Sequence, residues 1–525
     1  MVSLILRKII ACLCTAMMLC TSGCSSSDGV TNDNEILIFK ELVDKNPVKE
    51  SEHKDDEKRT TYTIEGFLDN EKKLITAKET INYINRSEGA IKDMAIHLYA
   101  DSYNSIETKA SNFGGTMNND TKGDIKINYV KINGSKVDYE ENDQLLKFPL
   151  SSELKQGEEL NIEVEFVLTM PNLDARFGYI EDDYSLTNWY PIVSVYDSET
   201  SSWNEKPYYP IGESNYAEYA DYNVILEVSE EMIVAGTGVE TEEIKNGKKR
   251  VTMREENIKD FVLFISPNYE YVTTEIDGIT INNYYFKGNK NNAERLLKNV
   301  EQAMAFYNKT LGKYPYEELD VIETHMAGGA MEYPTAIQMG LYNTWPLSQE
   351  IKKENLTWID SAVVHELVHQ WWYGIVGNNQ YEEAILDEGF TTFWTSMYFE
   401  YTYGKDNPVG MESQILKTVY PQNYLPINRP VDGFADDGEF YTTVYDMAAI
   451  VLEDLRRQVG DEKFLELFRE YYNEYKFKNA TFDGFLDMVN KVCGEDMEKF
   501  VRDAFNGKEY DINKVKMGSV KDKAH

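Results

Sequence analysis

Cysteine is nearly absent from the body of this 525-residue chain. Four of the five cysteines, Cys12, Cys14, Cys20 and Cys24, fall within the first 24 residues, and only Cys493 follows. A single thiol cannot form an internal disulfide framework, so packed cores must hold the folded part together. Cys493 itself lies in an apolar pattern of helical spacing, which indicates a core position.

Basic residues are also scarce, since 53 Lys and Arg stand against 90 Asp and Glu and give a formal net charge of −37. Nucleic-acid binding depends on Lys and Arg that neutralise phosphates, so this balance argues against a nucleic-acid partner. It gives little attraction to anionic lipid either. The hydrophobic fraction of 42% is ample for packed cores, which argues against a disordered acidic chain.

Long apolar runs are missing as well, since a confident transmembrane span takes about 20 residues. The run IIACLCTAMMLC near the N-terminus is shorter, and it follows Arg7 and Lys8. A charged start, a short apolar run and small residues before a cleavage point are typical of a secretory signal. The sequence SGC that ends at Cys24 resembles a bacterial lipobox, with Thr21 where Leu is usual.

This N-terminal pattern predicts an exported protein. We expect residues 1–23 to be a lipoprotein-type signal peptide, and a lipid on Cys24 to anchor the protein at the outer face of the cell membrane. A plainly cleaved signal, with secretion, is the alternative. Residues 24–59 combine a Ser-rich stretch with a charged run and are expected to form a tether and linker.

Two regions of different pattern follow the linker. From about Thr60, segments such as TYTIEGFL and LNIEVEFVLTM alternate apolar and polar residues between turn residues, which predicts strands. From about Lys290 the apolar period becomes helical. We expect an N-terminal all-β domain (the β domain, residues 60–275), a mainly helical domain (the helical domain, residues 276–510) and a C-terminal tail (residues 511–525). This is an α+β plan with two domains.

The helical domain is expected to open with a helix in NNAERLLKNVEQAMAFYNKTLG. Its apolar positions recur at helical spacing and are Leu296, Leu297, Val300, Ala303, Phe306 and Tyr307. The segment YEELDVIET that follows is predicted to be a strand.

A zinc-binding pattern lies further along, in IDSAVVHELVHQWWYG. His365 and His369 are four residues apart, which on a helix places both imidazoles on one face at the spacing that a zinc ion requires. Glu366 lies beside the first histidine and can reach water at the metal. Asp360 is the expected N-cap of this helix and Gly374 its expected end. A buried structural pair of histidines is the alternative for this motif alone.

A second helical segment, AILDEGFTTFWTSMYFEYTYG, supplies a third ligand. Glu388 follows His369 with eighteen residues between them. A catalytic zinc site needs three protein ligands and one open position, and a carboxylate on an adjacent helix meets that need. Nearby Glu382, Glu383 and Asp387 are alternatives that we interpret as charges at the N-terminus of the helix.

At this spacing, HELVHQWW and ILDEGF resemble the gluzincin aminopeptidases of the aminopeptidase N type, which include leukotriene hydrolase. GGAMEYP, from Gly328 to Pro334, resembles the family's GAMEN loop and is called the glycine loop below. TVYDMAAIVLEDLR resembles the segment that carries the family's catalytic tyrosine, which falls on Tyr445. TNWYPIVSVYD and EYADYNVILEV are similar to the N-terminal domain of bacterial members. The resemblance implies a saddle-like β domain packed on a thermolysin-like zinc domain, with the active site between them.

The resemblance also implies roles for the metal-site residues. One zinc ion per chain would be held by His365, His369 and Glu388. Glu366 would be the general base for the attacking water. Tyr445 would donate a hydrogen bond to the oxyanion. A nearby tyrosine, at 441, is close enough in sequence to be confused with it.

In the glycine loop, Glu332 would bind the free α-ammonium of the substrate. A carboxylate there converts an endopeptidase cleft into an exopeptidase one, because it anchors the chain end one residue from the metal. The other substrate-binding residues would be Gly328, Gly329, Ala330 and Met331. An ordinary surface acid is the alternative for Glu332.

The chain departs from the family pattern at several positions. Tyr333 stands where the GAMEN loop has Asn, and Met447 and Ala448 replace the usual Lys-Gly after the catalytic tyrosine. Neither change removes a metal ligand or the base. The family usually adds a second amine-binding residue from the β domain, for which the sequence offers only uncertain candidates: Glu181, Asp182 and Asp183.

The sequence therefore predicts a zinc aminopeptidase that hydrolyses N-terminal residues from peptides with a free N-terminus. A zinc endopeptidase or another hydrolase on the same fold is one alternative. A non-catalytic surface binding protein is another. The sequence gives no oligomeric state, and a monomer is assumed.

Overall fold

A computed structural model describes residues 39–45, 48, 58–105, 117–118, 120–344, 347–348, 350–417, 424–507, 509–511 and 515. The predicted signal segment, the candidate lipid site Cys24 and most of the expected linker lie outside these residues. None of the helices in this part of the chain has the length and apolar character needed to span a bilayer.

The β domain is built around a sheet of eight strands. In order across the sheet they are Val239–Lys245, Lys248–Ile258, Ala220–Ser229, Thr60–Asp69, Leu74–Ile84, Glu159–Thr169, Asp124–Ile132 and Ser135–Val137. Thr60–Asp69 pairs in parallel with Ala220–Ser229, and the other neighbours are antiparallel. Along Glu159–Thr169 every second residue is buried, because successive side chains of a strand point to opposite faces.

Smaller sheets complete the β domain. One contains Ile233–Gly236, Leu263–Ser266, Asp183–Leu186 and Gly178–Ile180, another contains Ile192–Val193, Ile91–His97, Leu145–Leu154 and Glu140–Asn142, and a hairpin joins Tyr196–Asp197 to Ser202–Trp203. A short 3₁₀ helix spans Tyr99–Tyr103. The predicted β-rich character of this region is confirmed.

A five-stranded sheet begins the helical domain. Its order is Tyr269–Ile276, Ile279–Phe286, Glu318–Glu323, Ala336–Met339 and Ala330–Met331. The expected boundary between residues 275 and 276 falls inside the hairpin of the first two strands, so this hairpin belongs with the sheet of the helical domain. The strand predicted in YEELDVIET is confirmed as Glu318–Glu323.

Helices form the rest of this domain. They are Lys290–Thr310, Trp358–Val368, Glu388–Tyr403, Met411–Lys417, Asp437–Phe440, Ala448–Val459, Asp461–Tyr475, Phe482–Cys493 and Glu495–Asn506, with a π-helix at Tyr441–Met447 and short 3₁₀ turns at Tyr342–Thr344, Lys353–Asn355, Ala384–Leu386 and Val431–Gly433. A two-stranded ladder pairs Val376–Gly377 with Lys478–Asn479. All six apolar residues predicted for the first helix are buried. One contiguous apolar core contains residues of both domains.

Residues 39–45 form a helix, although they were expected to be part of the tether and linker. Phe39 and Val43 lie one helical turn apart and are both buried. The ring of Phe39 meets the ring of Tyr401 edge to face, with centroids 6.5 Å apart. Apolar residues at this spacing favour a packed helix, so this segment docks on the helical domain instead of spanning solvent.

Candidate active site

The metal helix, Trp358–Val368, carries the first predicted ligand, His365, and the second, His369, directly follows its last residue. The backbone N–H and the hydroxyl of Thr357 both donate to Asp360 Oδ2 at 2.8 Å. The prediction that Asp360 is the N-cap is wrong, because Thr357 has the extended backbone of a cap and Asp360 lies in the first turn. Its carboxylate still satisfies a donor at the start of the helix, as a capping box does.

A buried guanidinium fixes this end of the metal helix. Arg295 donates from Nε and Nη2 to the two carboxylate oxygens of Asp360 at 2.8 and 2.7 Å. Asn299 Nδ2 adds a third hydrogen bond to Asp360 at 2.8 Å. The side chains of the ion pair are 0% exposed, and a buried pair is stable only when hydrogen bonds satisfy both charges. The network therefore anchors the helix that carries the histidines.

The metal helix ends earlier than predicted. Its last helical residue is Val368, and His369 occupies the C-cap position. The chain then turns tightly, with the Gly374 N–H donating to His369 O at 2.9 Å. The helix ends before Gly374 because this turn begins directly after the second histidine.

Three predicted ligand atoms meet at one point. His365 Nε2, His369 Nε2 and Glu388 Oε2 are 3.1 Å from one another in all three pairs. Two ligand atoms on a tetrahedral zinc ion are separated by about 3.3 Å when each bond is about 2.0–2.1 Å. The donor set therefore fits one zinc ion, and three protein ligands leave one position for water or substrate.

His369 is oriented through its other ring nitrogen. Its Nδ1 lies 3.0 Å from Trp372 O and 3.2 Å from Thr391 Oγ1. A carbonyl oxygen only accepts, so the proton belongs on Nδ1 and Nε2 is left as the metal ligand.

The ligand helix, Glu388–Tyr403, begins with the third ligand. The Glu388 N–H donates to Asp387 Oδ1 at 2.8 Å, so Asp387 caps the helix and is not a member of the triad. Burial alone would raise the pKa of Glu388. When no metal is bound, a protonated His369 and hydrogen bonds from the two histidines outweigh burial and hold this pKa well below its usual range.

The glycine loop borders the metal site. Ala330–Met331 is an edge strand of the five-stranded sheet, and Gly328 has a φ of 74°, which favours glycine. Glu332 follows the strand and is 3% exposed. Ligand atoms of Glu332, Glu366 and His369 all lie within 4.8 Å of one another. The loop thus brings the acid predicted to bind the amine beside the predicted base and a metal ligand.

Two buried acids, Glu332 and Glu366, therefore lie close together with little access to solvent. Burial raises the pKa of Glu332 to about 8. Burial also raises the pKa of Glu366 well above its usual value, and the neighbouring Glu332 raises it further. Like charges and low dielectric both disfavour ionisation, so the site favours an incoming cation.

Tyr445 lies in the π-helix Tyr441–Met447, a form that often marks functional sites. Its ring stacks on that of His365, with centroids 5.7 Å apart and planes 9° apart. The ring of Tyr441 is 4.9 Å from that of Tyr445, so both tyrosines border the site. Burial raises the pKa of Tyr445, which keeps the phenol protonated as a donor.

The part of the chain that holds these residues matches a known family. Residues 295–504 match the model of the peptidase family M1 domain. This part of the chain is similar to that domain. The resemblance to zinc peptidases of the aminopeptidase N type is thereby confirmed.

Two curated proteins that are similar to this chain carry aminopeptidase names. Aminopeptidase 2, mitochondrial, of Saccharomyces cerevisiae is 27% identical over 277 residues, which cover 49% of this chain and 28% of that protein. Alanine/arginine aminopeptidase of the same yeast is 23% identical over 411 residues, covering 73% of this chain and 47% of that protein. The chain therefore spans less than half the length of these relatives.

A solved structure shares the fold over most of the chain. The M1 zinc metallopeptidase from Deinococcus radiodurans superposes with a TM-score of 0.60 at 16% sequence identity. The match covers 87% of this chain and 96% of that protein. The predicted fold, a β domain followed by a mainly helical zinc domain, is confirmed.

Two of the three β-domain acids considered as second amine-binding residues, Asp182 and Asp183, have other partners. Asp182 pairs with Lys73 at 2.7 Å. Asp183 accepts from His325 Nε2 of the helical domain at 2.8 Å and from Ser266 Oγ at 2.5 Å. These contacts tie the start of the glycine loop to the β domain.

Another β-domain pair lies against the helical domain and was not predicted. Arg176 donates from Nη1 and Nη2 to the carboxylate of Glu213 at 2.5 and 2.8 Å, and both residues are buried. Burial raises the pKa of Tyr333, the residue that replaces the family's Asn, and the charge of Arg176 opposes this rise. No local motif marks this pair, because its members are 37 positions apart.

Proposed function

We propose that this protein is a zinc aminopeptidase that removes N-terminal residues from peptides. The observation that carries the proposal is the buried Glu332 carboxylate, which lies within 4.8 Å of ligand atoms of Glu366 and His369. A peptide whose α-ammonium binds Glu332 would present its first peptide bond to the metal and the base. The names of the two yeast relatives support the same activity.

The side chains divide the chemistry among them. When bound, zinc supplies Lewis acidity that polarises the scissile carbonyl and makes water a better nucleophile. Glu366 accepts a proton from the attacking water and returns it to the leaving amine. Tyr445 donates its phenolic hydrogen to the developing oxyanion, an interaction that strengthens as charge builds up. Glu332 holds the ammonium and so sets the distance from the chain end to the scissile bond.

The proposed substrates are peptides with a free N-terminus. A variant of the Deinococcus protein has been solved bound to a Tyr-Ser-Ala substrate, and its structure matches 86% of this chain with a TM-score of 0.59. We further propose that the protein is exported and anchored through a lipid on Cys24. The support for this location is the N-terminal sequence pattern. Residues 1–24 themselves lie outside the described part of the chain.

The test is a panel of aminoacyl fluorogenic substrates, assayed with and without a chelator. Release of the fluorophore should stop with chelator, return with added zinc, and be absent for N-acetylated versions of the same substrates. Equal cleavage of free and N-acetylated peptides would instead support an endopeptidase. Purified protein without zinc and without activity would support a binding protein.

A further inference from the structure

One buried amide contacts the carboxylate that is proposed to bind the substrate amine. Gln380 belongs to the segment of the chain that connects the metal helix to the ligand helix, and it is 0% exposed. Its Nε2 donates to Glu332 Oε1 at 3.0 Å. Its backbone N–H reaches Asn215 O of the β domain at 3.4 Å, and its side chain lies beside Asp387, the cap of the ligand helix. Gln380 therefore connects the glycine loop to the helix that supplies the third metal ligand.

The chemistry of a neutral donor suits this position. A carboxylate that must bind an ammonium needs a fixed orientation, but it must keep its negative charge available. Lys or Arg at this distance would form an ion pair with Glu332 and compete with the substrate. Another acid would repel Glu332 in a dry site. An amide N–H fixes one oxygen and leaves the net charge unchanged.

The backbone of the glycine loop is held by a different residue. Gln370 accepts from the Thr335 N–H at 2.9 Å and donates from Nε2 to Tyr333 O at 3.0 Å. The loop is thus fixed on either side of its last proline without the help of Gln380. Removing the amide of Gln380 should release the Glu332 side chain while the loop stays in place.

We propose that Gln380 is a positioning residue that fixes the Glu332 carboxylate for the α-ammonium of the substrate. The inference rests on the proposed aminopeptidase function. It goes beyond that function because amine recognition by Glu332 then depends on an amide from outside the glycine loop. Gln380 acts through Glu332 and not on the reacting atoms.

The experiment compares Gln380→Met and Gln380→Asn with the wild-type protein. Met keeps the length and loses the donor, and Asn keeps the amide but retracts it from Glu332. Both variants should raise KM for aminoacyl substrates about 10- to 100-fold, the range for a hydrogen bond to a charged group. Their kcat should stay within about threefold of wild type, because the lost interaction serves ground state and transition state alike. Zinc content should be unchanged.

A pair of inhibitors isolates the amine. The inhibition constant of an amino acid amide should rise by the same factor as KM, and that of the same amide without its α-amine should not change. Gln458→Met is the matched control, since it removes an exposed amide whose Nε2 bonds Asp454 Oδ1 at 3.1 Å. It should leave both inhibition constants at their wild-type values.

The outcomes separate this inference from the proposed function. If wild type prefers free amines and Glu332→Gln loses that preference, but both Gln380 variants keep wild-type KM, the role of Gln380 is refuted and the function stands. Loss of zinc or of kcat in both variants, with no change specific to the amine, would show a purely structural residue and also refute it. A wild-type protein without preference for free amines would overturn both proposals.

Discussion

The two ends of the metal helix differ in how their buried carboxylates are stabilised. Near its start, Asp360 receives two hydrogen bonds from the guanidinium of Arg295 and one from Asn299, so its charge is fully compensated. Near its end, Glu366 faces Glu332, and the donor that the structure gives to Glu332 is the neutral amide of Gln380. One end is completed by the chain itself, and the other would be completed by the zinc ion and the proposed substrate.

This difference separates stability from function along a single helix. A compensated buried pair fixes geometry, and removing one partner exposes the full cost of the other charge. An uncompensated cluster costs stability but binds a cation strongly, because the cation relieves repulsion that already exists. Substitutions at the two ends should therefore change different measurements.

The largest effect is expected at the uncompensated end. Glu366→Gln should lower kcat about 10²- to 10⁴-fold, because the general base is lost, while zinc content stays the same. The melting temperature should be unchanged or higher, since one of two facing acids becomes neutral. Turnover of an aminoacyl substrate, metal analysis and calorimetry measure the three quantities.

Full activity in Glu366→Gln would refute its role as the base. Loss of zinc from this variant would show that Glu366 supports the metal site directly. Either result would remove the contrast between the two ends of the helix.

At the compensated end, Arg295→Met should lower the free energy of unfolding by about 3–5 kcal/mol, because Asp360 is left buried without its cation. Urea unfolding, followed by circular dichroism, measures the change. The matched control is Arg502→Met, whose pair with Asp483 is on the surface and should change stability by less than about 1 kcal/mol. Equal effects in the two variants would mean that the buried pair does not anchor the helix.

Tyr445→Phe tests the donor beside the uncompensated end. Loss of a donor to the oxyanion should lower kcat about 10²- to 10³-fold with little change in KM, since the interaction forms in the transition state. Tyr441→Phe is the natural control, because its ring is 4.9 Å from that of Tyr445. A larger loss of kcat in Tyr441→Phe would assign the donor to Tyr441 instead.

The residues that meet at the candidate metal site could be picked out because their signal is local. His365, Glu366 and His369 share one helical turn, and Glu388 follows in the next helical segment. The alternating and helical periods likewise gave the two-domain fold. Periodicity and spacing are properties of the sequence itself and can be measured without knowing which elements pack together.

The residues that support the site could not be predicted, because their partners are distant in sequence. Asp360 was expected to be an N-cap, but its main partner, Arg295, is 65 positions away. Gln380 is 48 positions from Glu332. Such contacts depend on which elements pack together, and a single sequence does not report that. The helix at residues 39–45 was missed for another reason, since its short apolar pattern adjoins a charged run.

A third buried acid extends the comparison to the β domain. Glu79 is 0% exposed, neither carboxylate oxygen has a hydrogen-bond partner among the described residues, and Tyr62 and Tyr222 are its neighbours. Burial raises its pKa well above the usual value. Among the described residues no cation or amide bonds to this carboxylate, so the folded state favours its protonated form.

The last prediction is a dependence of stability on pH, which is absent at low pH and builds up gradually. Because the pKa of Glu79 is higher in the folded state, its contribution to stability is full below the unfolded pKa and is lost as pH rises towards the folded value, by at most about 1.4 kcal/mol per pH unit. Glu79→Gln cannot ionise, so its melting temperature should exceed that of wild type by more at pH 8 than at pH 5. Glu71→Gln, at an exposed turn, should show no such trend. A constant difference between Glu79→Gln and wild type across this range would mean that Glu79 is ionised and compensated in the folded protein, as Asp360 is.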